Sequence, residues 1–390
     1  MSGNDNGSVV IVGAGILGCS IAVHLADRGV RPVLIDPERP GQGTSTGSFA
    51  SISAFGKDPA TYFQLACAGV SGWPRFADRL GGEVGLRRAG EVRWTNDPVQ
   101  GRRLATQVAD SRERGYPIRP VDQAELGRLL PCARVGPVAA ASFAPNDGQV
   151  EPPLVLAACR AVLKEAGARL LCGRARVQLD DGGMRVQVRD EVLRPRTTVL
   201  AAGAEAVEVA AEVGLDIPTV ASLGMLVQTQ PLAPITDKVV YLPAGPGPAV
   251  SLRQRADGSV LVGERTQETP VTDPGARHAR ALLGQAARFF PVLAGVPVER
   301  WWLAWRAMPT DRLPILGPLP WLDSLYVAVS HSGVTLAPVL GRLIAKEVAD
   351  QTADGLLSPF RPDRFAERTT RVLLEIESVY REPTRQNRST

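Results

Sequence analysis

The sequence predicts an α/β chain of two domains. Three observations carry this. A strand–helix–strand pattern with a glycine-rich turn opens the chain. A second buried strand, Thr197-Thr198-Val199-Leu200, runs into Ala201-Ala202-Gly203-Ala204 far downstream. Between Leu223 and Leu313 the pattern changes to strands with alternating apolar residues.

The first element is Ser8-Val9-Val10-Ile11-Val12, which runs into Gly13-Ala14-Gly15-Ile16-Leu17-Gly18. The turn opens a helix from Ile16 to about Arg28, stopped at Gly29. A second strand, Pro32 to Ile35, ends on Asp36, an acid about twenty residues on. In this order the parts make a Rossmann-like dinucleotide unit. Gly13 permits the tight turn, Gly15 lets a pyrophosphate approach the backbone, and Gly18 lets the helix pack close to the strand. The first helical N–H groups, at Ile16 and Leu17, point toward the phosphates. Asp36 can accept from ribose hydroxyls. The unit by itself serves FAD and NAD alike.

Bulk properties set limits. The chain has 390 residues, 44% apolar and 22% charged, enough for a sizeable core. Its net charge of +4 comes with no dense basic run, which argues against a nucleic-acid partner. The five cysteines form no C-x-x-C pair. Cys19 and Cys159 sit in helical apolar patterns and read as buried thiols. His24, His278 and His331 show no metal-ligand spacing, so no metal is expected. No stretch is apolar for the length of a membrane span, and no secretory pattern opens the chain; the expected location is cytoplasmic.

The other elements follow in order. Thr44 to Ser51 is a small, hydroxyl-rich loop whose side chains allow close approach to a flat ligand. Pro59 to Leu80 reads as a helix and Leu86 to Asn96 as a strand pair turning near Gly90. Asp97 to Gly115 reads as a helix. Asp122 caps a further helix, with Glu125 three residues on and Pro131 as its stop. Ala139 to Phe143 is a strand, Leu154 to Ala166 a helix ended by Gly167, and Arg169 to Cys172 and Ala175 to Leu179 are strands. Asp181-Gly182-Gly183 turns a hairpin into Met184 to Val188. After Thr197 to Leu200, Glu205 to Val213 reads as a helix. Alternating strands cover Met225 to Gln230, Val239 to Leu242, Ala249 to Arg253 and Val260 to Glu264, with a helix at Gly275 to Phe290. A strand at Leu325 to Val329 precedes a last helix starting near Pro338, a residue suited to a first turn. The expected division gives residues 1–90, 140–222 and 311–378 to the nucleotide domain. Residues 91–139 and 223–310 go to the substrate domain, and 379–390 to a disordered tail.

Four blocks in this order resemble the FAD-dependent D-amino acid oxidase superfamily, which includes glycine oxidase, sarcosine oxidase and the D-amino acid dehydrogenases. They are VVIVGAGILGCSIAVHLADRG, TSTGSFASISAF, TTVLAAGA, and WRAMPTDRLPILGP with LYVAVSHSGVTLAPVLGRLIA. The resemblance spans about residues 8 to 375 and implies FAD as cofactor. It implies that Gly13, Gly15 and Gly18 hold the pyrophosphate and Asp36 the ribose, where many members carry Glu. It places Ser45, Thr46 and Ser48 beside the isoalloxazine and ribityl chain, the Val177 backbone at the adenine, and Ala202 and Gly203 along the cofactor. Gly333, Val334 and Thr335 would meet the flavin from the start of the last helix, whose positive end would lie near Leu336 to Pro338. The covalent attachment of some members needs a Cys near Ala307-Met308 or a His in the early loop. Neither is present, which implies non-covalent FAD.

The resemblance also implies chemistry: hydride transfer from an amino acid or related amine to flavin N5, then hydrolysis of the imine. Arg306, in Trp305-Arg306-Ala307-Met308-Pro309, would clamp a substrate carboxylate with its planar fork. His331 would sit at the flavin edge, in a catalytic or a structural hydrogen-bonding role. Trp301, Trp302, Trp305 and Tyr241 are candidate pocket walls. The short His331-Ser332-Gly333-Val334 segment departs from glycine oxidase-like members, which argues against glycine as the substrate. The electron acceptor, oxygen or another carrier, is left open. So is the alternative that the chain is the FAD-binding subunit of a hetero-oligomeric dehydrogenase, or forms homo-oligomers.

Overall fold

A computed structural model describes residues 9–365, except 38–42, 82, 181–182, 246 and 266–274. The expected tail and most of the Asp181-Gly182-Gly183 turn lie outside the described residues.

The first strand, Val9–Val12, is the centre of a six-stranded sheet. It pairs in parallel with Val33–Asp36 on one side and Thr197–Leu200 on the other. Arg169–Cys172 extends the first side. Leu322–Val329 and then Ile315–Leu319 extend the second, the last pair being antiparallel. The downstream TTVL strand therefore does return beside the first.

Both faces of this sheet are covered, which is why its strands are continuous apolar runs rather than alternating ones. The period of two divides them. Val9 and Ile11 face a core shared with the helices Ile16–Ala26, Ala60–Arg79, Pro152–Glu165 and Gly333–Asp350. Val10 and Val12 face a second core. It is closed by a three-stranded sheet through Ala175, Val177, Met184 and Val186, and by the short helix Ala206–Ala211.

An eight-stranded sheet carries the middle of the chain. Its order is Val298–Pro309, Thr219–Thr229, Val260–Glu264, Val250–Gln254, Val239–Tyr241, Glu91–Thr95, Ala140–Ala144 and Arg119–Pro120. All neighbours are antiparallel except Val239–Tyr241 with Glu91–Thr95. The helix Ala276–Phe289 lays Ala279, Leu282, Leu283 and Ala286 over one face of it.

Two expectations are corrected. RRAGEVRWTN is not a hairpin: only Glu91–Thr95 is a strand, and its partners come from other parts of the chain. The segment before it bonds outward, Arg87 bridging Gln149 and the Gly90 N–H reaching the Asp147 carbonyl at 3.0 Å. The last helix begins at Gly333, not near Pro338, which lies inside it. A proline there withholds the N–H that would bond the carbonyl four residues back. That carbonyl belongs to Val334, and the Trp73 indole N–H donates to it instead, at 3.0 Å. The helix continues because a side chain from Ala60–Arg79 satisfies the orphaned acceptor.

The same two helices approach very closely. A Cβ on Gly69 would lie 2.4 Å from the Thr335 carbonyl oxygen. On the opposite flank the Ser20 hydroxyl donates to the Ala337 carbonyl at 2.7 Å, and a Cβ on Gly341 would overlap that hydroxyl. Gly69→Ala is therefore expected to push the helices apart. Thermal unfolding should show a loss of about 1–3 kcal/mol. An unchanged melting temperature would rule out this close approach.

Candidate functional site

The carboxyl ends of Val9–Val12 and Thr197–Leu200 lie side by side, which in parallel sheets is where ligands sit. Gly13 holds φ +104° there, and a Cβ on it would stand 2.4 Å from the Ala201 carbonyl oxygen. A Cβ on Gly18 would meet the Gly13 carbonyl oxygen. Gly15 begins the helix with no side-chain cap. The Ser45 hydroxyl accepts from the Ile16 N–H at 3.0 Å and would stand 3.0 Å from a Cβ on Gly15. Leu17 is buried in the helix's first turn. One carboxylate oxygen of Asp36 accepts the Ala14 N–H at 2.8 Å, tying the acid to the turn. Ala202 and Gly203, the latter at φ +62°, close the neighbouring strand's end.

The hydroxyl-rich loop is stitched to the other sheet. Thr44 donates to the Trp305 carbonyl at 2.7 Å, and the Trp302 indole N–H donates to the Gly47 carbonyl at 2.9 Å. The Ser48 hydroxyl and the Thr46 hydroxyl donate back to the Ser45 and Gly43 carbonyls, which shapes the loop. The last helix opens beside it. The Thr335 hydroxyl donates to the Ser51 carbonyl at 3.3 Å and accepts from the Ser53 N–H at 3.4 Å. Gly333 and Val334 form the first helical residues, so the positive helix end lies at Ser332–Val334, a full turn earlier than expected.

Arg306 lies on Val298–Pro309. Its guanidinium donates to the Ser222 hydroxyl and to the Leu223 and Glu264 carbonyls, at 3.4, 3.2 and 2.9 Å. A Cβ on Gly224 would sit 2.0 Å from its Nη2, so the missing side chain makes room for the head group. Trp305, its neighbour, points to the opposite face of the strand and is 56% exposed. Trp302 and Ala304 share the Arg306 face and pack with Phe49, Leu226 and Leu261.

His331 is half-buried. Burial first, then the charges of Lys57, Arg306 and Arg312, pull its pKa down to about 3, so the imidazole is neutral at ordinary pH. Sequence reading missed Lys57, whose ammonium donates to the Ser332 hydroxyl at 2.6 Å. The Tyr62 hydroxyl donates to the same oxygen at 2.9 Å.

Tyr241 lies under two guanidinium groups, Arg93 at 4.1 Å and Arg265 at 5.0 Å from its ring centroid. Its hydroxyl is 3.4 Å from that of Ser51. Burial raises the phenol's pKa and keeps it neutral. Val177, by contrast, lies in the three-stranded sheet, and its N–H donates to Glu212 at 2.8 Å. Glu212 gave no signal in the sequence, since nothing local marks a carboxylate that reaches another element.

Behind Tyr241 stands a buried acid pair. Glu91 holds Arg93 at 2.5 Å with one oxygen, and Asp147 accepts from the Tyr116 hydroxyl. Glu91 Oε2 and Asp147 Oδ2 are buried without a described partner. Burial and then the Glu91 charge push the Asp147 pKa up to about 8.

The comparisons with known proteins agree with this geometry. A family model described as FAD dependent oxidoreductase (DAO) matches residues 8–347. The chain belongs to that family, and FAD is its cofactor. It is 27% identical over 373 residues to a subunit of opine oxidase from Agrobacterium tumefaciens (strain Ach5), covering 92% of this chain and 97% of the relative. It is 25% identical over 365 residues to glycine oxidase of Geobacillus kaustophilus (strain HTA426), covering 90% and 95%. The crystal structure of L-proline dehydrogenase from P. horikoshii superposes with a TM-score of 0.85 at 22% identity, covering 93% of this chain and 98% of that one. The residues fit the cofactor: side chains are missing at Gly13 and Gly15 where a pyrophosphate would approach, beside an uncapped helix start. Among the described residues no group of three or more His, Cys, Asp or Glu could hold a metal ion, and no helix is long and apolar enough to cross a membrane.

The acid pair makes stability depend on pH. Above about pH 4 the unfolded chain ionises Asp147, while the folded chain keeps it protonated until about 8. The folded state then binds more protons, so this group lowers stability progressively as pH rises across that window, after which the effect levels off. Asp147→Asn should flatten the slope of melting temperature against pH between those limits. A slope equal to that of the unaltered protein would locate the proton elsewhere.

Proposed function

We propose that this chain oxidises the C–N bond of an amine that carries a carboxylate, an amino acid or an N-substituted relative. The observation that carries the reading is Arg306, a partly buried guanidinium held in place by neutral acceptors on three neighbouring residues. An Arg fork so positioned suits a planar carboxylate. The names of the two curated relatives, an opine oxidase subunit and a glycine oxidase, support the same class of substrate.

The chain's own groups have separate tasks. Arg306 anchors the carboxylate and so orients the α-carbon. Lys57, Arg306 and Arg312, whose charges reach His331, also disfavour a substrate ammonium and help it shed its proton. His331 stays neutral, which suits a hydrogen-bonding role near the reacting amine. Trp302 and Phe49 close an apolar wall beside the hydroxyl-rich loop and exclude water. FAD held at the Gly13–Gly18 turn and Asp36 would supply the two-electron oxidant for the α-carbon. The substrate leaves as an imine, which water hydrolyses to a carbonyl compound and an amine or ammonia.

A second reading, in which the chain works as one subunit of a hetero-oligomer, is favoured by an apolar patch. Trp301 and Trp305 lie on one face of the edge strand Val298–Pro309, and both are exposed. One of the relatives is itself named as a subunit.

The test is anaerobic mixing of the FAD-loaded protein with a panel of amino acids and N-alkyl amino acids. Bleaching of the flavin by one of them is the expected result, and air then separates oxidase from dehydrogenase. A flavin bleached only when a partner protein is added would favour the subunit reading. With the bleaching substrate, Arg306→Ala should raise KM on the order of 100-fold while FAD stays bound. An unaltered KM would remove Arg306 as the anchor.

A further inference from the structure

We propose that the site takes substrates with two carboxylates, and that Arg265 is the specificity-determining residue that binds the second. This rests on the reading above and deepens it.

The argument begins with where Arg265 springs from. Arg306 Nη2 donates to the Glu264 carbonyl at 2.9 Å, so the first carboxylate anchor touches the peptide that leads directly into Arg265. Two arginines thus meet at one stretch of backbone, the end of Val260–Glu264. The Arg265 head group turns onto the Tyr241 ring, 5.0 Å from its centroid, and donates to the Leu242 carbonyl at 3.2 Å. Tyr241 in turn reaches Ser51, whose carbonyl receives Thr335 from the last helix. Arg265 therefore belongs to the same cluster as the flavin loop, not to a distant surface.

Its charge is what distinguishes it. Arg93, the other guanidinium on Tyr241, is satisfied by Glu91 at 2.5 Å. Arg265 makes no ion pair with any described carboxylate. Its contacts are a carbonyl and an aromatic face, and Arg93 repels it from across the ring. Burial and that repulsion both weaken its hold on its proton, yet a guanidinium stays charged. Arg265 is exposed to solvent and, among the described residues, has no ion-pair partner, so its charge is available to an anion. With Arg306 on the first carboxylate, Arg265, one peptide from the carbonyl that Arg306 holds, is positioned for an anion on the other arm of the same molecule. A secondary amine with a carboxylate on each substituent meets that requirement.

The test uses the FAD-loaded full chain and two non-oxidisable ligands in which sulfur replaces the amine nitrogen, thiodiacetate and (methylthio)acetate. Binding is read from perturbation of the flavin spectrum or quenching of tryptophan fluorescence. Thiodiacetate should bind about 10- to 100-fold more tightly. Arg265→Gln should erase that preference without changing affinity for (methylthio)acetate, and Arg265→Lys should restore part of it. Equal affinities in the unaltered protein, or a preference that survives Arg265→Gln, would overturn the proposal. The same pair of acids on nitrogen, N-(carboxymethyl)glycine and N-methylglycine, separates the two readings. A thiodiacetate preference in a protein whose flavin is bleached by neither amine, nor by any member of the amino acid panel, would leave the diacid site standing and remove amine oxidation.

Discussion

The contact on which the rest depends is the approach of the Gly13 turn to the end of the neighbouring strand. A methyl group there would overlap the Ala201 carbonyl, so the two parallel strands can end level only with glycine at that corner. Because they end level, the first helix, the Asp36 carboxylate and the Ala202-Gly203 segment open onto one crevice. The last helix is then pressed against the first by Ser20 and Gly341, and against the second by Gly69 and Trp73. The start of the last helix is thereby fixed from both flanks.

The site's electrostatics divide into two layers. In front, burial first and then the charges of Lys57, Arg306 and Arg312 keep His331 neutral. Behind, Glu91 and Asp147 share a buried environment that favours a proton on Asp147. Arg93 and Tyr241 stand between the layers, the guanidinium paired with Glu91 and stacked on the ring. The negative layer thus satisfies the arginine that stands between the two.

Much of this was legible in the sequence, because the nucleotide unit is written locally. Strand, glycines, helix and acid are adjacent, and each has a steric reason for its residue type. The capped helix at Asp122 was equally readable, its carboxylate accepting the Glu125 N–H at 2.7 Å. The start of the last helix was not, since Pro338 is a strong local sign of a first turn and only a tertiary bond from Trp73 overrides it. Trp301, Trp302 and Trp305 were indistinguishable as wall candidates in the sequence; successive residues of a strand face opposite ways, so of the three only Trp302 shares the Arg306 face. Lys57 and Glu212 act across the fold on Ser332 and Val177, and long-range partners of that kind leave no trace in spacing.

The seam between the two sheets has a mechanical consequence. Thr44 and Trp302 fasten the loop of small residues to Val298–Pro309 at two points, and that strand also carries Arg306 and the exposed Trp301 and Trp305. Loop, anchor and outer edge are consequently one plate rather than three independent parts. A protein seated on the outer tryptophans would pull on the plate that frames the reaction centre, and occupancy at the surface would be felt inside without a hinge.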